Sequence, residues 1–169
     1  MGMPSMGIYS YELFHFYGVE TIIRVGSAGA LQNSLEIGDL VVAAGCSSFT
    51  RYLDQFGTPG AFAPLGDFEL AVRAVETARK KGFRCIAGNV LSSDTFYDDD
   101  AEALKKWQRM GVLAVEMETA ALYANAARAG KRALGILTIS DCPFKGTATT
   151  AEERQNAFTA MVETALELI

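Results

Sequence analysis

Histidine is nearly absent from this 169-residue chain, which carries one, His15, beside only three cysteines, Cys46, Cys85 and Cys142. The cysteines are odd in number, far apart and free of any CxxC. That argues against a disulfide framework, and with a single histidine it argues against a zinc site. Basic clusters are also missing. Lys plus Arg is 15 against 20 Asp plus Glu, a net charge of −5, which makes nucleic acid and anionic membranes poor partners. No uncharged run approaches the ~18 residues that a spanning helix needs. The N-terminal stretch MGMPSMGIYSYELF lacks the basic start and clean apolar segment of a signal peptide, so a cytoplasmic protein is expected. With 50% apolar and 21% charged residues the composition is that of a folded globular chain. At ~150 residues per domain the length predicts a single domain over residues 1–169.

What is present is an alternation of short apolar runs with amphipathic stretches, the pattern of an α/β fold. The spacing predicts a helix from Ser5 to Tyr17, a strand over Thr21–Gly26, a small-residue turn at SAGA and a strand from Asp39 to Gly45. A loop rich in Gly, Pro, Ser and Thr fills Cys46–Gly66, with room for one short strand. Then follow a helix over Asp67–Lys81, a strand over Cys85–Ser92, a helix over Asp100–Met110 and a strand over Val112–Met117. That last strand runs into an Ala-rich helix ending at Gly130, and Arg132–Ser140 is the most apolar strand. A final helix opens at Thr150, where Thr-Ala-Glu-Glu fits a capping box. Its stripe Phe158, Met161, Val162, Ala165, Leu166 and Ile169 has helical spacing. Mostly parallel strands are expected, with barrel-like closure left open. No internal repeat is visible.

Charged groups inside or beside the apolar strands carry the functional information. Arg24 lies in TIIRVGSAGA. It is either an edge-strand arginine facing water or, with Gly26, Ser27 and Gly29 in a tight turn, part of an oxyanion or phosphate cradle. The pattern is neither GxGxxG nor a P-loop, which weighs against dinucleotide binding and ATP hydrolysis. Glu116 and Glu118 alternate with Met117, so both carboxylates share one face. They suit either capping of the next helix or holding a sugar diol. Ser140-Asp141 ends an apolar strand at the edge where α/β proteins place ligands. Asp141 either caps its own turn or, desolvated beside Pro143 and Phe144, acts as a general acid. Arg154 lies on the buried face of the last helix and needs a partner, for which Asp141 is available.

Taken in order and spacing, IRVGSAGA, SSDTFY, GVLAVEMETAALY, ILTISD and TTAEERQ resemble the nucleoside phosphorylase family, most of all its bacterial, hexameric, purine-specific type. The resemblance runs from Met1 to Ile169. It implies a three-layer α/β fold with a mixed, partly barrel-like sheet flanked by helices, and phosphorolysis of a purine nucleoside to free base and α-(deoxy)ribose 1-phosphate. It further implies that Arg24, Val25, Gly26 and Ser27 bind phosphate and that Glu116, Met117 and Glu118 hold the ribose. Phe96 would stack near the base. Ser140 and Asp141 would lie at the base, Asp141 donating a proton to N7, with Arg154 pairing with Asp141. Inorganic phosphate is the implied co-substrate, with no metal or organic cofactor, and the implied assembly is a dimer-based homo-oligomer, hexameric in the family. Family chains begin upstream of the segment matching Met1, so the domain is expected to be incomplete at its N-terminus, lacking a strand and part of the phosphate site. Cys142-Pro143-Phe144 departs from the family's usual loop, which bears on base preference. Three further readings compete. A nucleosidase of the same fold has no use for Arg24. A uridine phosphorylase would want a Gln-x-Arg pair that is missing between Phe96 and Trp107. The third is an inactive, shortened subunit.

Overall fold

A computed structural model of the chain describes residues 2–97, 99–100, 102–150 and 158–169. Five strands form a ring: β1 (Thr21–Ala30), β2 (Leu40–Phe49), β3 (Cys85–Ser93), β4 (Ala114–Glu116) and β5 (Arg132–Cys142). The order is β1-β4-β3-β2-β5, and β5 returns to pair with β1, which makes the sheet barrel-like. The sheet is mixed. β1 runs parallel to β5, β2 to β3 and β3 to β4, whereas β1–β4 and β2–β5 are antiparallel. A two-residue β6 (Thr147–Ala148) hangs on the end of β5. In β5, Ala133–Ser140 are buried without interruption, the near-continuous apolar run expected of a strand covered on both faces.

Helices flank the ring. In α4 (Thr119–Ala129) every residue from Thr119 to Ala126 is buried. Its alanines let the helix lie close between the sheet and α1 (Met3–His15), and Asn125 Nδ2 donates to Gly7 O and Ser10 Oγ, each at 2.9 Å. The Tyr123 hydroxyl donates to Ala43 O and accepts from Gly135 N at 2.8 Å, tying α4 to β2 and β5. Burial of that phenol pushes its pKa well above the usual range, so it stays a donor. α4 stops at Gly130, whose φ of 66° is cheap only for glycine. On the other side, α2 (Phe68–Lys80) begins at Asp67, which accepts from Leu70 N at 2.9 Å. Arg132 binds the same carboxylate through Nε and Nη2 and holds the Asp67 carboxyl below its ordinary pKa range. α3 (Ala103–Arg109) is short, and α5 (Thr159–Leu166) packs against α2 through Met161. Among the described residues no helix is long and apolar enough to cross a membrane.

Several elements differ from the sequence reading. SAGA is no turn, because β1 continues through it to Ala30, with Ser27, Ala28 and Gly29 paired to Thr138, Ile139 and Asp141. Its small residues serve close approach instead: a Cβ on Gly29 would stand 2.8 Å from Asp141 Oδ2. The predicted Cys46–Gly66 loop is strand as far as Phe49, then a 3-10 turn over Tyr52–Phe56, with Leu65 bridging back to Gly45. β4 is only three residues long. The first helix starts at Met3, two residues earlier than expected, with Pro4 tolerated in its first turn. The capping box at Thr150–Glu153 extends beyond the described residues. In the last helix the buried side is Met161, Thr164 and Leu168, whereas Val162, Leu166 and Ile169 are exposed.

Candidate functional site

Gly29 of β1 pairs with Val115 of β4 on one side and with Asp141 of β5 on the other, so the ends of three strands meet there. The residues after β4 and at the end of β5 are those singled out in the sequence.

Arg24 points away from water. Its side chain is 11% exposed, and Nη2 binds Glu118 Oε2 and lies 3.3 Å from Glu116 Oε2. Glu118 Oε1 accepts from the backbone N–H of Gly2 at 2.7 Å. A Cβ on Gly26 would stand 2.8 Å from Arg24 Nη1, so the guanidinium lies directly over that glycine. Nη1 itself is buried without a hydrogen-bond partner. A buried donor left unpaired costs about 1–3 kcal/mol, more for a charged group. What this nitrogen lacks is a hydrogen-bond acceptor.

Glu116 has no spare capacity. It accepts from Ser92 Oγ, from Glu118 N at 2.9 Å and from Thr119 N at 3.1 and 2.9 Å, and it faces Arg24. It therefore caps α4 and serves as counter-ion to Arg24, and its lone pairs are taken. Of the two uses foreseen for this pair, capping falls to Glu116, and Glu118 is the more exposed of the two carboxylates. Behind Glu116, the Cys46 thiol lies 3.1 Å from Ser92 Oγ, and burial followed by the Glu116 charge pushes it up to about 12.

At the end of β5, Ser140 Oγ donates to Asp141 Oδ1 at 2.7 Å. Ser140 is buried and Asp141 half-buried, beside Gly29 and near Pro143. Asp141 is thus in strand, paired with Ala148, and is not a turn cap. Met117 is half-buried between β4 and α4. Phe96 is exposed beyond the end of β3 and packs edge-on against Tyr97 at 5.0 Å. The expected convergence of Arg24 with Val25 and Ser27 is absent, because strand alternation sends those two exposed side chains to the opposite face of β1. Val25 lines a groove of about 490 Å³ with Ile23, Leu166 and Ile169. Arg154 lies outside the described residues.

Sequence reasoning missed Ser92, Cys46 and the Gly2 amide. Only the burial of a serine at the end of an apolar strand could have signalled the first. Among the described residues no group of three or more His, Cys, Asp or Glu is placed to hold a metal.

Comparison with known proteins shows the family. The sequence profile described as the Phosphorylase superfamily matches residues 1–169. The DeoD-type purine nucleoside phosphorylase of Alkaliphilus metalliredigens (strain QYMF) is 47% identical over 169 residues, covering 99% of this chain and 72% of that protein. Those of Clostridium novyi (strain NT) and Clostridium perfringens (strain SM101 / Type A) are 43% and 48% identical, with 99% of this chain and 72% and 71% of theirs covered.

Proposed function

Because the chain belongs to the phosphorylase superfamily, we propose that it carries out the reversible phosphorolysis of purine nucleosides, yielding the free base and α-(deoxy)ribose 1-phosphate. One observation carries the reading: the buried, unpartnered Nη1 of Arg24 over Gly26, beside the Glu118 carboxylate. A guanidinium suits a phosphate oxygen, and Glu118 suits sugar hydroxyls, which donate to carboxylates. Inorganic phosphate is the only co-substrate in this scheme. No metal or organic cofactor is needed.

The chemistry assigns each group a task. The bond between C1′ and the purine nitrogen breaks with its electron pair leaving on the base, while positive charge builds on the sugar. Phosphate held by Arg24 stabilises that charge and forms the new bond from its oxygen to C1′. Asp141, oriented by the Ser140 hydroxyl, gives its proton to N7 and so neutralises the departing purine. Met117 and Phe96 offer apolar surface to the sugar and base. Arg154 enters by resemblance alone, as the partner of Asp141.

The direct test is base release from inosine or guanosine with and without phosphate. Release should depend on phosphate and should yield ribose 1-phosphate in equal amount. Equal release in phosphate-free buffer, with free ribose as product, would overturn phosphorolysis in favour of hydrolysis.

Self-association belongs to the same proposal. Ile8, Tyr9, Phe16 and Tyr17 of and beside α1 are 60–75% exposed, a density of apolar surface that monomers seldom carry on one helix. Light scattering should give a mass at least twice that of one chain. A single-chain mass at all concentrations would contradict it.

A further inference from the structure

We propose that Ser92 is a positioning residue for the phosphate side of the site: its hydroxyl fixes the Glu116 carboxylate, and Glu116 in turn fixes the guanidinium of Arg24. The inference rests on the reading of Arg24 as the phosphate ligand.

The directions of the hydrogen bonds leave little freedom. Ser92 is fully buried and its Oγ meets three groups: Ala120 N at 3.0 Å, Cys46 Sγ at 3.1 Å and Glu116 Oε1. The amide of Ala120 only donates, so Ser92 Oγ accepts there. The ionised carboxylate of Glu116 only accepts, so the single hydroxyl proton of Ser92 goes to it. The Cys46 thiol, protonated in its buried setting, has Ser92 Oγ, Ser47 O at 3.3 Å and Glu116 Oε1 at 4.0 Å as acceptors and takes nothing from the Ser92 proton. The result is one directed bond, Ser92 to Glu116 Oε1, on a carboxylate whose other oxygen lies 3.3 Å from Arg24 Nη2.

Every link is buried, so no solvent competes for these bonds. Without the Ser92 hydroxyl, Glu116 Oε1 keeps the longer contacts to Thr119 N, at 3.1 Å, and to the Cys46 thiol, at 4.0 Å. The carboxylate is then pinned mainly through Oε2, by Glu118 N and Thr119 N, and the edge it presents to the guanidinium is less sharply fixed. Glu118 shares Arg24 with Glu116 but has a second anchor of its own, Gly2 N on Oε1. Damage at Ser92 should therefore fall mainly on phosphate and much less on the nucleoside, a separation that general loosening of the fold would not produce.

The experiment is a calorimetric titration with inorganic phosphate of the unchanged chain, Ser92→Ala, Ser92→Cys and Cys46→Ala, with melting midpoints and steady-state constants for phosphate and inosine alongside. Ser92→Ala should weaken phosphate binding by about tenfold, the scale of one lost hydrogen bond to a charged group. The KM for inosine should stay within about twofold. Ser92→Cys, nearly isosteric and still a donor, should recover part of the loss and carries the test if the alanine variant does not fold. Cys46→Ala, which leaves the bond from Ser92 to Glu116 intact, should keep its phosphate affinity within about twofold. A lower melting midpoint with unchanged phosphate affinity in Ser92→Ala would overturn the positioning role while leaving the reading of Arg24 intact. Absence of phosphate binding by the unchanged chain would remove both.

Discussion

Asp141→Asn is expected to slow phosphorolysis of inosine and guanosine by about 10²–10⁴-fold, the usual contribution of a positioned general acid. A substrate whose base already carries positive charge at N7, such as 7-methylguanosine, should lose far less. The contrast follows from differential stabilisation: a carboxylic acid at N7 matters only where negative charge develops on the leaving base. The asparagine keeps the shape and still accepts from Ser140 Oγ, which now binds Oδ1 at 2.7 Å, so the substitution isolates the proton. Its position over Gly29 should also be retained, since Asn and Asp are nearly isosteric. Steady-state rates on both substrates at saturating phosphate give the comparison. Equal slowing of both would make Asp141 a group that only orients the base.

Arg24→Ala should weaken phosphate binding by about 10- to 100-fold, since a charge-assisted hydrogen bond contributes about 1.5–3 kcal/mol. It should also lower stability. The side chains of Arg24, Glu116 and Glu118 are only 11%, 1% and 15% exposed, so deleting the cation leaves two carboxylates buried together. Breaking a buried pair by removing one partner typically costs about 3–5 kcal/mol. Combining Arg24→Ala with Glu116→Gln should restore part of the melting midpoint and little of the phosphate affinity, because it removes one of the two stranded charges without replacing the cation. Calorimetry with phosphate and thermal unfolding of the single and double variants separate the two effects. If Arg24→Ala bound phosphate as the unchanged chain does, the guanidinium would be a counter-ion and nothing more.

The parts legible in the sequence were those governed by local chemistry. Asp67 before an amphipathic run marked the start of α2, and Gly130 marked the end of α4, because capping acts over a few residues. The Arg132–Ser140 run was readable as a buried strand from its unbroken apolar character. SAGA misled because Gly, Ser and Ala favour turns and equally allow strands to crowd together, and only the partner strand decides between these. Arg24 stood out in the sequence as a charge inside an apolar strand, but its orientation was hidden. Its partners lie more than 90 positions away, and no spacing rule connects β1 with the turn after β4. Glu116 and Glu118 looked equivalent because alternation puts them on one face. What separates them is three-dimensional: Ser92 and the first amides of α4 claim Glu116, and the Gly2 amide together with Arg24 claims Glu118.

The ring of strands is sealed unevenly. β1 with β5 and β2 with β3 run along each other for nearly their whole lengths, whereas β4 meets β1 only at Gly29–Val115 and Ala30–Ala114, and meets β3 only at Leu91–Val115 and Ser92–Glu116. β4 is thus the stave with the fewest ladder bonds, and Glu116 is its last residue. Segments with few such bonds open locally at lower free energy than the rest of a fold. The molecule therefore joins its most rigid seams to the least fastened one at the place where Glu116 and Glu118 stand. Any give beside these two carboxylates is thus expected in a strand of the barrel wall itself.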